Sequence, residues 1–165
     1  MKNIVIGLFS FMLMFYGCGN TFRVFHDMDP EADFDQYQTY SFLDWTEGNR
    51  KVITGMERER IRTAFARELE KRGLDYGEDG ADINVQVTVY FREARRPMYS
   101  YYYPDFYNYM ERALSVDIFE GATRKHIWHS AAVGEVGRTP EERAEELPEQ
   151  VRSMFEAFPV GRQQE

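Results

Sequence analysis

The stretch Asp82-Ile-Asn-Val-Gln-Val-Thr-Val-Tyr-Phe91 decides the fold, because apolar and polar side chains alternate along it without a break. Successive side chains of a β-strand point to opposite faces of the sheet, so one face of this strand is apolar and the other polar. Alternation of this kind is typical of a sheet that is buried on one face and wet on the other. It therefore predicts a mostly antiparallel sheet.

Four further strands are predicted around this one. Residues 113–119 repeat the alternation, and a turn at 120–124 leads into residues 125–136, which completes a hairpin. Aromatic and β-branched residues predict two earlier strands, at 21–27 and 38–45, and a loop is expected over 46–53.

Two amphipathic helices complete the predicted domain. Thr54 and Glu57 fit a capping box, the helix that follows stops at Gly73, and Thr139 and Glu142 fit a second capping box. Pro148 predicts a kink or a short break in the second helix. The predicted fold is a two-layer α+β domain in the order β-β-α-β-β-β-α, with both helices packed on one face of the sheet.

The N-terminal segment has the pattern of a lipoprotein signal peptide. Lys2 precedes a short apolar run that ends at Gly17, and Cys18, the only cysteine, follows. The run is shorter than the roughly 20 residues that a spanning helix needs. We expect residues 1–17 to be removed and Cys18 to carry a diacylglyceryl group and an N-acyl chain such as palmitate. Plain secretion and a signal anchor are the alternatives.

Composition limits the classes of partner. The formal net charge is −8, which argues against a nucleic-acid ligand and against electrostatic docking on anionic lipid. Residues 18–165 have the length of one domain. The membrane is expected as a partner through the acyl chains at Cys18.

Several motifs resemble those of the DUF4136 lipoproteins. Phe34-Asp-Gln-Tyr-Gln-Thr-Tyr-Ser-Phe42 is similar to a segment near the start of that family's domain. The other matching segments are Arg72-Gly-Leu74, Ala81-Asp-Ile-Asn-Val85, Leu114-Ser-Val-Asp-Ile118, Lys125-His-Ile-Trp128 and Phe158-Pro159. The resemblance implies a single-domain bacterial envelope lipoprotein. We expect it in the outer membrane, facing the periplasm. It implies no activity and no catalytic residues.

No metal, cofactor or catalytic site is predicted. His126 and His129 form a His-x-x-His motif, but residues three apart on a regular strand point to opposite faces and cannot hold one ion. The alternating acidic residues of 27–35 suggest calcium, yet the sixth and twelfth positions of such a loop would be Ala32 and Gln38 instead of glycine and an acid. Asp82 and Asp117 have no predicted nucleophile beside them.

The most unusual stretch is the tyrosine-rich segment 95–110, which is predicted to be a loop because Pro97 and Pro104 oppose regular structure. Tyrosines offer a large, rigid contact area with a polar tip, which suits binding to protein, glycan or interfacial lipid. The alternative is a connection whose rings fold onto the sheet or stay partly disordered. The candidate binding residues are Tyr90, Tyr99, Tyr101, Tyr102, Tyr103, Phe106, Tyr107 and Tyr109.

These observations favour a lipid-anchored cell-envelope protein that acts as a non-enzymatic binding or scaffolding module. An envelope protein or a glycan is the expected partner. An envelope hydrolase with a site invisible in the sequence, and a structural or stress-response lipoprotein without a specific ligand, are the alternatives.

Overall fold

The computed structural model describes residues 22–78, 80–99, 104–135 and 139–160. Cys18, for which lipidation is predicted, lies outside these ranges. In chain order the elements are β1 (Phe22–Met28), a 3-10 turn (Phe34–Gln36), β2 (Thr39–Phe42), α1 (Glu47–Val52), α2 (Gly55–Glu70), β3 (Asp75–Tyr76), β4 (Ile83–Tyr99), β5 (Pro104–Glu120), β6 (His126–Glu135) and α3 (Pro140–Met154). No helix within the described ranges is long and apolar enough to cross a bilayer.

The strands form one six-stranded sheet in the order β1-β6-β5-β4-β2-β3. The pairs β1–β6, β6–β5 and β5–β4 are antiparallel, whereas β2 runs parallel to both β4 and β3. The predicted α+β class with a mostly antiparallel sheet is confirmed. The predicted order lacks the short helix α1, which replaces part of the expected loop 46–53, and the two-residue strand β3.

Helices α2 and α3 cover one face of the sheet, as predicted. Apolar side chains of β4, such as Val85 and Val87, are buried with Phe65 of α2 and Val151 of α3 in a single core. The Trp128 ring of β6 stacks on Phe155 with the ring centroids 5.3 Å apart. Helix α3 is continuous through Pro148, so the short break that the proline suggested does not occur.

A buried arginine joins the sheet to both helices. The Arg112 side chain of β5 is 5% exposed and lies 3.6 Å from the Glu57 carboxylate of α2. It also donates a 2.7 Å hydrogen bond to Gln150 of α3. Thr54 caps α2 as predicted. In a complete capping box the Glu57 carboxylate would turn back to the Thr54 amide, but here it accepts a hydrogen bond from Arg143.

Helix α1 protects an open stretch of strand β4. Strand β2 pairs with β4 only from Ile83 to Val85, so the backbone of Val89 lies beyond the reach of β2. The buried side-chain amide of Asn49 takes the place of a strand there, because it donates to the Val89 carbonyl at 2.8 Å and accepts from the Val89 amide at 3.4 Å. Thr46 fixes Asn49 in turn by capping α1.

Strands β4 and β5 extend far beyond the rest of the sheet, and this corrects the prediction of a loop at 95–110. The pairing continues from Glu93 opposite Met110 to Tyr99 opposite Pro104, so only residues 100–103 of the segment fall outside the described structure. Strand β6 pairs with β5 only as far as Glu111. We call residues 93–99 and 104–110 the ribbon. Within the described residues, the ribbon has no third strand.

Candidate functional site

The face of the sheet opposite the helices carries two candidate sites. Cross-strand neighbours point to the same face, so the register places Gln86, Asp117, His129 and Asp27 in one row across four strands. Tyr90 lies on the same face, four residues further along β4 than Gln86, and is 62% exposed. This face, which we call the open face, is therefore polar at one end and aromatic at the other.

A β-bulge in β6 shapes the polar end. The β5–β6 register shifts between Ile118, opposite Trp128, and Phe119, opposite His126, which leaves Ile127 as an extra residue. Ile127 and Trp128 are consecutive, yet both are buried in the core. Two residues of the bulged strand thus share one face, and the residues on either side of them share the other.

The bulge brings His126 and His129 together beside Asp117. The His129 Nδ1 atom lies 2.7 Å from one carboxylate oxygen of Asp117, and the His126 Nε2 atom lies 3.1 Å from the same oxygen. The expectation that the two histidines lie on opposite faces is therefore wrong. The sequence carries a signal that was missed: in His-Ile-Trp-His, two adjacent apolar residues interrupt the alternation of the strand.

Neighbouring side chains surround this cluster, which we call the His–Asp cluster. The Phe119 ring packs against the His126 ring with the centroids 4.9 Å apart. Asp27 lies across the β1–β6 pair from His129. A groove of about 310 Å³ runs beside Asp27, His126 and His129. The three side chains of the cluster are 25–47% exposed, so a ligand from solution can reach them.

The aromatic end of the open face contains two of the predicted tyrosines. Tyr90 is opposite Ala113, and Tyr109 is opposite Ala94 at the base of the ribbon. The ion pair between Arg92 and Glu111 lies between them. Tyr99, Phe106 and Tyr107 occupy backbone positions of the ribbon, whereas Tyr101, Tyr102 and Tyr103 lie outside the described residues.

The far end of the sheet has a cleft of about 600 Å³, but its acidic residues hold the fold together. One oxygen of Asp82 accepts hydrogen bonds from the Gln38 amide at 3.0 Å and from the Thr39 amide and hydroxyl at 2.9 and 2.8 Å. These bonds hold the pKa of the Asp82 carboxyl below its ordinary value. Glu120 accepts hydrogen bonds from Thr123 and from the Tyr37 hydroxyl. The cleft therefore presents carboxylates that are already engaged.

The acidic segment 27–35 also forms local bonds. Asp29 accepts from the Glu31 amide at 2.9 Å and pairs with Lys125 at 2.5 Å. Asp33 accepts from the Asp35 amide at 3.3 Å and caps the 3-10 turn. These carboxylates therefore bind backbone amides and a lysine, as is typical of a solvated turn.

Comparison with known proteins identifies a family and a fold. The model of the family described as "Domain of unknown function (DUF4136)" matches residues 24–160. The search of curated proteins found no match.

Two solved structures have a similar fold. A PDZ domain protein from Parabacteroides distasonis is 16% identical with a TM-score of 0.59, covering 92% of this chain; this chain spans only 40% of that structure. The PelC dodecamer from Paraburkholderia phytofirmans is 9% identical to this chain, with a TM-score of 0.51. The match covers 87% of this chain and 99% of the PelC chain. At such low identity these likenesses show the fold alone.

Proposed function

Because the chain belongs to the DUF4136 family, whose domains have no assigned function, we propose a function from its own geometry. The protein is a lipid-anchored cell-envelope module that acts by binding and scaffolding, not by catalysis. Its contact element is the ribbon, and its partner is reached at the surface of the membrane that holds Cys18.

The observation that carries this proposal is the projection of the ribbon. Phe91 lies in the last row of paired residues to which β1 contributes. Strand β4 continues for eight residues past Phe91. At about 3.4 Å per residue, the ribbon ends about 27 Å beyond that row. A two-stranded ribbon is marginally stable alone in water, so one that projects this far is suited to a binding partner.

The ribbon and the start of the domain lie at the same end of the sheet. Phe22, the first residue of β1, is opposite Gly134, which is opposite Arg112 of β5 and hence in line with Phe91. Three residues separate Cys18 from Phe22, and the four Cα–Cα steps reach at most about 14 Å. A ribbon that ends about 27 Å beyond the row of Phe22 in this direction would meet the membrane surface once Cys18 is acylated.

The composition of segment 95–110 suits such a position. Tyrosines are enriched at membrane–water interfaces because the ring is apolar and the hydroxyl polar. Residues 99–109 contain six tyrosines. The ribbon would therefore orient the domain on the bilayer and contact lipid, or an envelope protein or glycan held at that surface.

Photocrosslinking in intact cells tests the proposal. A photoreactive amino acid at Tyr102 is expected to crosslink to lipid or to a membrane-proximal partner. The matched control is Tyr76, which is 56% exposed but lies in β3, in line with Ile83 at the opposite end of the sheet. Equal crosslinking from both positions, or none from position 102, would contradict the assignment of the ribbon as the contact element.

The anchor is tested separately. The Cys18→Ser variant is expected to leave the membrane fraction, whereas wild-type protein stays in it and incorporates labelled palmitate. Retention of the variant in the membrane would show that acylation of Cys18 is not the means of attachment.

A further inference from the structure

We propose that Asp117, His126 and His129 form a binding site for one divalent transition-metal ion of the zinc class. One ligand atom from each residue can be chosen so that all three lie within 4.8 Å of one another. Two imidazole nitrogens and a carboxylate oxygen are ligands that Zn²⁺, Cu²⁺ and Ni²⁺ accept. The site is independent of the ribbon and of the anchor.

The distances are close to those that a bound ion requires. Bonds of 2.0–2.1 Å in a tetrahedral zinc site separate neighbouring ligand atoms by about 3.3 Å. The Asp117 oxygen lies 2.7 Å from the His129 nitrogen and 3.1 Å from the His126 nitrogen, and the two nitrogens lie within 4.8 Å of each other. To admit the ion, the first separation would widen by about 0.6 Å and the second by about 0.2 Å, and the two nitrogens would settle at a similar distance from each other.

The fold holds the three ligands in place from below. Asp117 and His129 are directly opposite each other in the β5–β6 ladder, and the bulge at Ile127 aims His126 at the same point. Ile127 and Trp128 are 2% and 1% exposed, so core packing fixes the bulge. The Phe119 ring limits rotation of the His126 imidazole. A preorganised site of this kind binds its ion without ordering a loop.

The surroundings favour a cation and oppose it little. Asp27 is opposite His129 in the β1–β6 pair, where Cβ atoms lie about 5 Å apart, so its carboxylate adds negative charge beside the three ligands. The groove of about 310 Å³ gives water access to the remaining position. Lys125, which directly precedes β6, pairs with Asp29 at 2.5 Å, so its charge is partly neutralised.

Zinc binding by the untagged, full-length protein in detergent tests the proposal. After treatment with chelator, titration with Zn²⁺ followed by calorimetry is expected to give one saturable site per chain. His126→Ala, His129→Ala and Asp117→Asn are each expected to weaken it at least about tenfold, the loss that even a supporting residue of a metal site causes. His26→Ala is the control, because His26 lies opposite Ser130, outside the cluster.

A second measurement separates metal binding from a hydrogen-bonded cluster with a purely structural role. A bound ion stabilises the folded state, so Zn²⁺ should raise the melting temperature of wild-type protein and of His26→Ala but not of the three cluster variants. The proposal is overturned if wild-type protein shows no saturable site. It is equally overturned if His26→Ala loses as much affinity as the cluster variants, or if Asp117→Asn lowers the melting temperature while zinc leaves every protein unaffected.

Discussion

Replacement of Asp82 by alanine is expected to destabilise the protein by about 2 kcal/mol at neutral pH. The Asp82 carboxylate accepts two backbone amides and the Thr39 hydroxyl, at 2.8–3.0 Å. A side chain that caps backbone amides in this way contributes about 1 kcal/mol, and the hydroxyl adds about 1 kcal/mol. The residue is exposed, so water offsets part of the loss and higher values are not expected.

The contribution of Asp82 should depend on pH. Its hydrogen bonds hold the pKa of the folded carboxyl below the value of about 3.9 that it has in an unfolded chain. The stabilisation is therefore complete above about pH 5, decreases as the pH falls through the unfolded value, and is lost once the pH is below the folded value. Asp82→Asn keeps the shape but removes the charge, so it should cost about half as much as Asp82→Ala.

Urea denaturation at several pH values between 7 and 3 measures these differences. Asp44→Asn is the matched control: the Asp44 side chain is 90% exposed and makes a single ion pair of 3.8 Å, so its loss should change the free energy of unfolding by less than about 0.5 kcal/mol. The reasoning is refuted if Asp82→Ala costs no more than this control. It is also refuted if the cost of Asp82→Ala stays constant as the pH falls.

Two further substitutions test other parts of the fold. Gly121→Ala should cost about 2–4 kcal/mol in urea denaturation, because the new Cβ would lie 2.0 Å from the Ala81 carbonyl oxygen. In the control Gly55→Ala the new Cβ has no contact closer than 3.7 Å, so this change should be neutral or slightly stabilising. Equal effects of the two substitutions would contradict this prediction. Arg112→Ala should cost about 2–3 kcal/mol by the same method, because it leaves the buried Gln150 oxygen without its donor and removes one of the two arginines beside Glu57. A cost below about 1 kcal/mol would show that water replaces the arginine.

The sequence predicts well the elements whose pattern is local. The alternation of β4 and the caps Thr54 and Thr139 identify a strand and two helices directly, since period and capping depend only on neighbouring residues. Helix α1 was missed because Gly48 and Asn49 favour a loop by propensity, while the burial of Asn49 against β4 depends on tertiary structure.

Features that depend on pairing between strands were harder to predict. Pro97 and Pro104 suggested a loop, but both lie in the ribbon, where one edge of each strand has no partner among the described residues and a missing amide costs little. The spacing of His126 and His129 gave opposite faces because a regular strand was assumed, and the bulge exists only in relation to β5.

The Asn49 side chain has a consequence for how this sheet meets other molecules. An uncovered strand backbone can recruit a strand from another molecule, and such growth at an edge leads to filaments. Because Asn49 occupies both backbone hydrogen-bonding groups of Val89, a strand of another molecule cannot pair with β4 at this position. The side chain therefore does at Val89 what a neighbouring strand would do, without extending the sheet.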